Sequence, residues 1–142
     1  MSIERKLNLQ NDYIMQELDG IKKELFKVKN SVPSMQYVSK EVNVIINSDT
    51  EISIGNIEKD SIIIVNITNT GTTTSTGSAT MILQINDIVA TEQTIAYRDS
   101  TSVATLVFRT STTGNCKILV TPANELVPIK VDRVQAYIIN NI

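Results

Sequence analysis

The chain has no histidine and no tryptophan, one cysteine, and only two phenylalanines and four tyrosines in 142 residues. Each shortage removes a class of chemistry. Without imidazole there is no Ser-His-Asp or Cys-His nucleophile system, and no zinc site that needs a His ligand. One cysteine cannot close an intrachain disulfide, so nothing calls for an oxidising compartment. Cys116 sits in the strand-like run NCKILVT with only Lys117 as a nearby cation, which marks it as a small buried apolar residue and not a reactive thiol. So few aromatic residues leave little for a sugar-stacking cleft, and any core must be aliphatic.

Long hydrophobic runs and strong charge are missing as well. No apolar stretch approaches membrane-spanning length, and MSIERKLNLQ lacks the apolar region of a signal peptide. The expectation is a soluble protein made in a cytoplasm. Residues 1–32 carry six Lys/Arg against five Asp/Glu, and residues 33–142 carry seven against ten. Neither part has the clustered positive charge that captures nucleic acid or anionic lipid.

What the chain does have begins with NDYIMQELDGIKKELFKVKNSV. Leu7, Ile14, Ile21 and Val28 recur every seven residues, as do Asn11, Leu18, Leu25 and Val32. With the second set at a and the first at d, g reads Gln10, Glu17, Glu24 and e reads Met15, Lys22, Lys29. Glu17–Lys22 and Glu24–Lys29 are then the complementary charge pairs of a parallel coiled coil. A lone helix of this length is marginal in water, and Gly20 weakens it by about 1 kcal/mol. The seam therefore needs a cover. An amphipathic helix folded onto its own β-domain would supply one, but identical parallel chains also account for the e/g charges. Leu at a with Ile at d leans to trimers, while a polar Asn11 at a can favour dimers. A homotrimer is favoured, with a dimer left open. Pro33 ends the helix near Val32.

Beyond Pro33 the period changes from seven to two. Val42, Val44 and Ile46 alternate, then Ile52 and Ile54, then Ile62, Ile64 and Ile67. Further strands are expected over Thr80–Ile85, Ile88–Tyr97, Val103–Arg109, Asn115–Thr121 and Pro128–Ile139. Asn86-Asp87 and Thr113-Gly114-Asn115 read as tight hairpin turns, with further turns at Gly55-Asn56 and Glu58–Ser61. About eight short strands rich in Ile, Val and Thr predict an antiparallel β-sandwich of jelly-roll type. The fold class is mainly β: a coiled-coil helix over 1–32, then a sandwich head over 33–142.

Two loops are rich in small hydroxyl residues: NTGTTTSTGS (Asn69–Ser78) and TSTTGN (Thr110–Asn115). Such loops are either plain solvated connections or recognition tips. Thr72, Thr73 and Thr74 are the first candidate contact residues. Tyr97-Arg98-Asp99, at a strand end, is the second, because Tyr and Arg are favoured in contact hot spots. No two of the scattered carboxylates are placed together as a glycosidase requires. Asp49-x-Glu51 and Glu58-x-Asp60 match no calcium motif. No cofactor, no metal and no enzymatic activity is expected.

The Leu7–Val32 heptads, the stretch TEISIGNIEKDSIIIVNIT (Thr50–Thr68) and the Thr/Gly/Ser loop leading into SATMILQIND (Ser78–Asp87) together resemble small appendage proteins of tailed bacteriophages, of the fibre, baseplate or decoration type. The resemblance is architectural and carries no site residues. It implies an oligomeric virion component, assembled in the host cytoplasm, whose β-head binds a host-surface glycan or protein or a neighbouring virion protein. Two other classes stand beside it. One is a cytoplasmic coiled-coil adaptor or glycan-binding module outside a virion; the other is a sugar-active enzyme.

Overall fold

The structure, a computed structural model, describes residues 11–23 and 34–140. The chain divides after Pro33 into two compact units, taken in turn.

Residues 11–23 are helical. Ile14, Leu18 and Ile21 lie exposed at 53%, 46% and 55%, so nothing within the helix itself buries these three seam positions. Asn11 belongs to the same helix. The other heptad positions, Leu7, Leu25, Val28 and Val32, lie outside the described residues.

The second unit is built of eight strands: β1 (Ser34–Ile46), β2 (Thr50–Ile57), β3 (Ile62–Gly71), β4 (Gly77–Ile85), β5 (Ile88–Tyr97), β6 (Thr101–Arg109), β7 (Gly114–Pro122) and β8 (Ile129–Asn140). They form two four-stranded sheets, ordered β1-β8-β3-β6 and β2-β7-β4-β5, and every pairing is antiparallel. Only the β4–β5 connection stays within one sheet; the others cross between sheets. This is the strand order of an eight-stranded jelly roll.

Alternation in the sequence sets the faces. In β3, Ile63, Val65 and Ile67 point inward and are fully buried, while Ile62, Ile64 and Asn66 lie on the outer face. The expected alternation of Ile62 and Ile64 with Ile67 thus has the wrong phase for the first two. Met81, Leu83, Ile118, Val120, Val131 and Ala136 meet them from the neighbouring strands. The core is aliphatic, as the composition required, with Tyr97 the buried aromatic of the cluster. Burial of each such side chain contributes roughly 1.5–3 kcal/mol. The buried polar residues Ser61, Asn69 and Thr110 are satisfied locally. Ser61 Oγ donates to Glu58 O at 2.7 Å, and Asn69 Nδ2 donates to Ile67 O at 3.1 Å. Among the described residues no buried side-chain polar atom lacks a partner, as close packing demands.

Some turns differ from the sequence reading. Asn86 and Asp87 both take positive φ (53° and 65°) and make the expected two-residue hairpin. Gly55-Asn56 is no turn but a bulge inside β2, where Gly55 adopts φ 128° and the register against β7 shifts. Gly114 already belongs to β7, so the β6–β7 turn lies over 110–113. β1 begins at Ser34, well before Val42, and a bulge at Asn43 (φ 50°) divides it.

The registers give the sandwich two distinct ends. β1 starts beside the end of β8, with Ser34 opposite Asn140. The turns at 58–61, 86–87 and 110–113 share that end, and the loops at 47–49, 72–76, 98–100 and 123–128 lie at the other. The ten residues of β3 separate the two by roughly 30 Å.

Candidate functional site

The two candidate clusters of the sequence, far apart in the chain, meet at the end of the sandwich remote from Ser34. The connection β3–β4 carries Thr72–Thr76, and β5–β6 carries Arg98 and Asp99. Arg98 Nη2 donates to Thr74 O at 3.4 Å. Beneath this contact the backbones nearly touch: a Cβ on Gly71 would stand 1.7 Å from Arg98 O. Only glycine permits the two loops to lie so close.

Tyr97 occupies a different place from the one its neighbours suggested. It is 4% exposed, with its ring against Gly77 and its hydroxyl donating to Val127 O. Burial raises its pKa above the ordinary value. Tyr97 is therefore a buttress joining three connections, and of the Tyr97-Arg98-Asp99 cluster only Arg98 and Asp99 reach the surface. The missed signal was parity: Tyr97 lies two residues after the half-buried Ile95, on the same inward face of β5, where Gly77 leaves room for its ring.

The rim is held by further backbone anchors. Thr72 Oγ1 donates to Pro128 O at 2.9 Å, and Ala123 N donates to Ser78 O at 2.9 Å. Asn124 closes its own loop by accepting from Leu126 N at 2.9 Å, which leaves Leu126 79% exposed at the tip. Thr73 and Ser75 bond to each other, in a small hydroxyl turn. The result is a fixed base carrying free hydroxyls, the guanidinium of Arg98, the carboxylates of Asp99, Glu125 and Asp49, and the side chain of Leu126. Such a set recognises by hydrogen bonding and modest apolar contact.

The second hydroxyl-rich loop is a different object. At the opposite end, Thr110 is buried and bonds to Thr112 N and O, and its backbone exchanges bonds with Asp60 and Ser61. Thr113 Oγ1 accepts from Lys59 N at 3.0 Å, while Asn86 holds both Thr113 O and Asn115 N. TSTTGN is a structural loop: its backbone and the hydroxyls of Thr110 and Thr113 are engaged in the fold, and Ser111 and Thr112 are its exposed tip. A depression of about 320 Å³ opens near it, between Gln36, Asn56, Glu58 and Asn140.

The structure also joins charges that the sequence left apart. Lys117, on the outer face of β7, bridges Glu51 at 3.0 Å and the turn residue Asp87. Its pKa is raised, first by the Asp87 hydrogen bond and then by that to Glu51. Cys116 beside it is fully buried and its thiol is pushed up to about 12 by burial, the mark of an inert structural cysteine. Among the described residues no group of three or more His, Cys, Asp or Glu is disposed to hold a metal ion. No helix among them is long and apolar enough to cross a membrane.

No family model matches the chain, and no curated protein matches it in sequence. Among solved structures it is similar to dimeric latent PorU from Porphyromonas gingivalis, at 6% identity and a TM-score of 0.51 over 76% of this chain and 13% of that one. It is also similar to the insecticidal delta-endotoxin Cry8Ea1 from Bacillus thuringiensis, at 11% identity and a TM-score of 0.49 over 66% and 19%. A third likeness is to the CBM36-1 domain of a multidomain xylanase from the hindgut metagenome of Trinervitermes trinervoides, at 13% identity and a TM-score of 0.49 over 74% and 96%. The chain thus spans less than a fifth of the first two. At these identities the likeness concerns the fold alone: the head is a β-sandwich.

Proposed function

We propose that the chain is a structural and binding component of a tailed-phage particle, of the fibre, baseplate or decoration type. It homo-oligomerises through its N-terminal helix, as a trimer in preference to a dimer, and is not an enzyme. One observation carries this reading: the head receives its N-terminal segment at one end and gathers its free hydroxyl loops at the other. A helix that assembles copies through Ile14, Leu18 and Ile21 would then leave Thr72–Thr76, Arg98 and Asp99 unobstructed in every copy. Several weak contacts presented together bind by avidity, which multiplies a single affinity by about 10²–10⁴. The partner is a host-surface glycan or protein, or a neighbouring virion protein. Synthesis is in the host cytoplasm, and the site of action is the virion.

The test is antibody labelling of purified phage particles, paired with light scattering of the full-length chain. Gold on the particles and a single oligomer in solution are expected. Particles that carry none of the chain would overturn the virion role.

A further inference from the structure

The outer faces of the two sheets differ in character at the end where β1 begins. On β2-β7-β4-β5 the rows read Thr121–Thr80–Thr94, Glu51–Leu119–Ile82–Glu92 and Ser53–Lys117–Gln84–Val89, with Val89 52% exposed at the sheet edge. That is the largely polar surface expected where an antiparallel sheet faces water. On β1-β8-β3-β6, two adjacent rows read Met35–Ile139–Ile62–Arg109 and Tyr37–Tyr137–Ile64–Val107. Seven of these eight residues carry apolar or aromatic side chains. Met35, Tyr37 and Val107 are exposed at 64%, 49% and 58%. The tyrosines are ordered, with ring centroids 5.0 Å apart and Gln135 Nε2 donating to the Tyr37 hydroxyl at 2.9 Å. A contiguous apolar patch of this kind on a folded domain marks a contact surface.

We infer that this face is where the heads of neighbouring copies of the same chain meet, an inference that rests on the oligomeric reading above. Position and charge both name the occupant. The patch lies at the end where β1 begins, and Met35 and Tyr37 directly follow the segment 24–33. Ten residues reach at most about 35 Å, so joining the helices of several copies holds their patches within reach of each other. The face is also free of the like charge that would drive identical surfaces apart. Arg133 is paired with Glu41 at 2.9 Å, and Arg109 stands at the corner. The other sheet sets one lysine, Lys117, among the carboxylates of Glu51, Asp87 and Glu92, so copies would repel there. The patch sits away from Thr72–Thr76, so packing it leaves those loops free.

Cysteine labelling of the full-length chain tests this directly, because the native Cys116 is buried. Val107→Cys places a thiol in the patch, and Thr94→Cys places one on the polar face as reference. In the assembled protein a bulky maleimide should modify the Val107→Cys thiol at least ten-fold more slowly, with the rates converging on dilution to monomer. Circular dichroism confirms that both variants fold. Equal rates in an intact oligomer would overturn the head contact and leave the helix-mediated assembly standing. Slow modification in a monomeric chain would show the patch covered by its own N-terminal segment, overturning the inference. A monomer with equal rates would overturn both this contact and the oligomeric reading.

Discussion

The ring of Tyr97 fills the space that Gly77 leaves open. A Cβ on Gly77 would stand 2.5 Å from the ring, far inside contact distance. Gly77→Ala should therefore force the ring or the strand to move, at a cost of about 1–3 kcal/mol as in other overpacked sites. Chemical denaturation of the full-length protein reads the loss. Tyr97→Phe keeps the packing and removes only the bond to Val127 O, and should cost about 1 kcal/mol. If Gly77→Ala proves no worse than Tyr97→Phe, the buttress is not the rigid part described.

The loop above that buttress should separate stability from binding. Replacing Thr73–Thr76 with a Gly-Ser linker, with Thr72 and its bond to Pro128 O retained, should shift Tm by no more than a degree or two. The removed side chains make few packed contacts. Under the proposed function, attachment to host cells or to a neighbouring virion protein should be lost. Attachment that survives would move the recognition surface elsewhere on the head.

The seam of the helix makes a third comparison. If the helix assembles as proposed, Leu18→Ala removes a side chain that the coil would bury, and losses at such sites run roughly 2–5 kcal/mol per residue, repeated in every copy. Lys23→Ala, on the far side of the heptad, should be nearly silent. Thermal melting at several protein concentrations checks both. Equal shifts would mean that the seven-residue register is misassigned.

Alkaline pH should expose the burial of Cys116. Its thiol is raised from 9.0 to about 12 in the folded protein by burial, so the unfolded chain releases its proton first. The stabilisation is complete below about pH 9 and fades as pH climbs toward 12, at about 1.4 kcal/mol per unit for one proton. Lys117 drifts the same way, since its folded pKa is also raised. Cys116→Val should flatten the alkaline decline by one proton's worth relative to the parent, measured as the difference between the two stability curves. Parallel curves would deny the thiol that role.

The strands over 62–71 and 114–122 were legible as apolar β-branched runs. The face of β3 was not, because Ile62 and Ile64 on the outside are as apolar as Ile63 and Val65 within, and alternation against polar neighbours is absent there. Nor was the start of β1. Its apolar residues Met35 and Tyr37 face outward, out of phase with Val42-Val44-Ile46 across the bulge at Asn43. Gly55 misled because a positive φ serves a bulge as well as a turn. For the candidate site, local composition picked out Thr72–Thr74 and Arg98-Asp99 but carried no information on their meeting. That depends on which strands pair across the sandwich, a long-range choice. The same composition in TSTTGN marked a structural loop, since only the fold decides whether a hydroxyl is occupied.

The pairing of β1 solely with β8 also sets the order in which the molecule is made. β1 leaves the ribosome first among the strands and its partner last, so its ladder cannot close until translation has passed Asn140. Until then Met35, Tyr37 and their unpaired amides form a naked edge, the type of surface that templates aggregation. Pairings of this range fold in milliseconds to seconds, longer than a helix needs to form. A transcript stopping inside β8 would leave that edge permanently open and should yield insoluble protein.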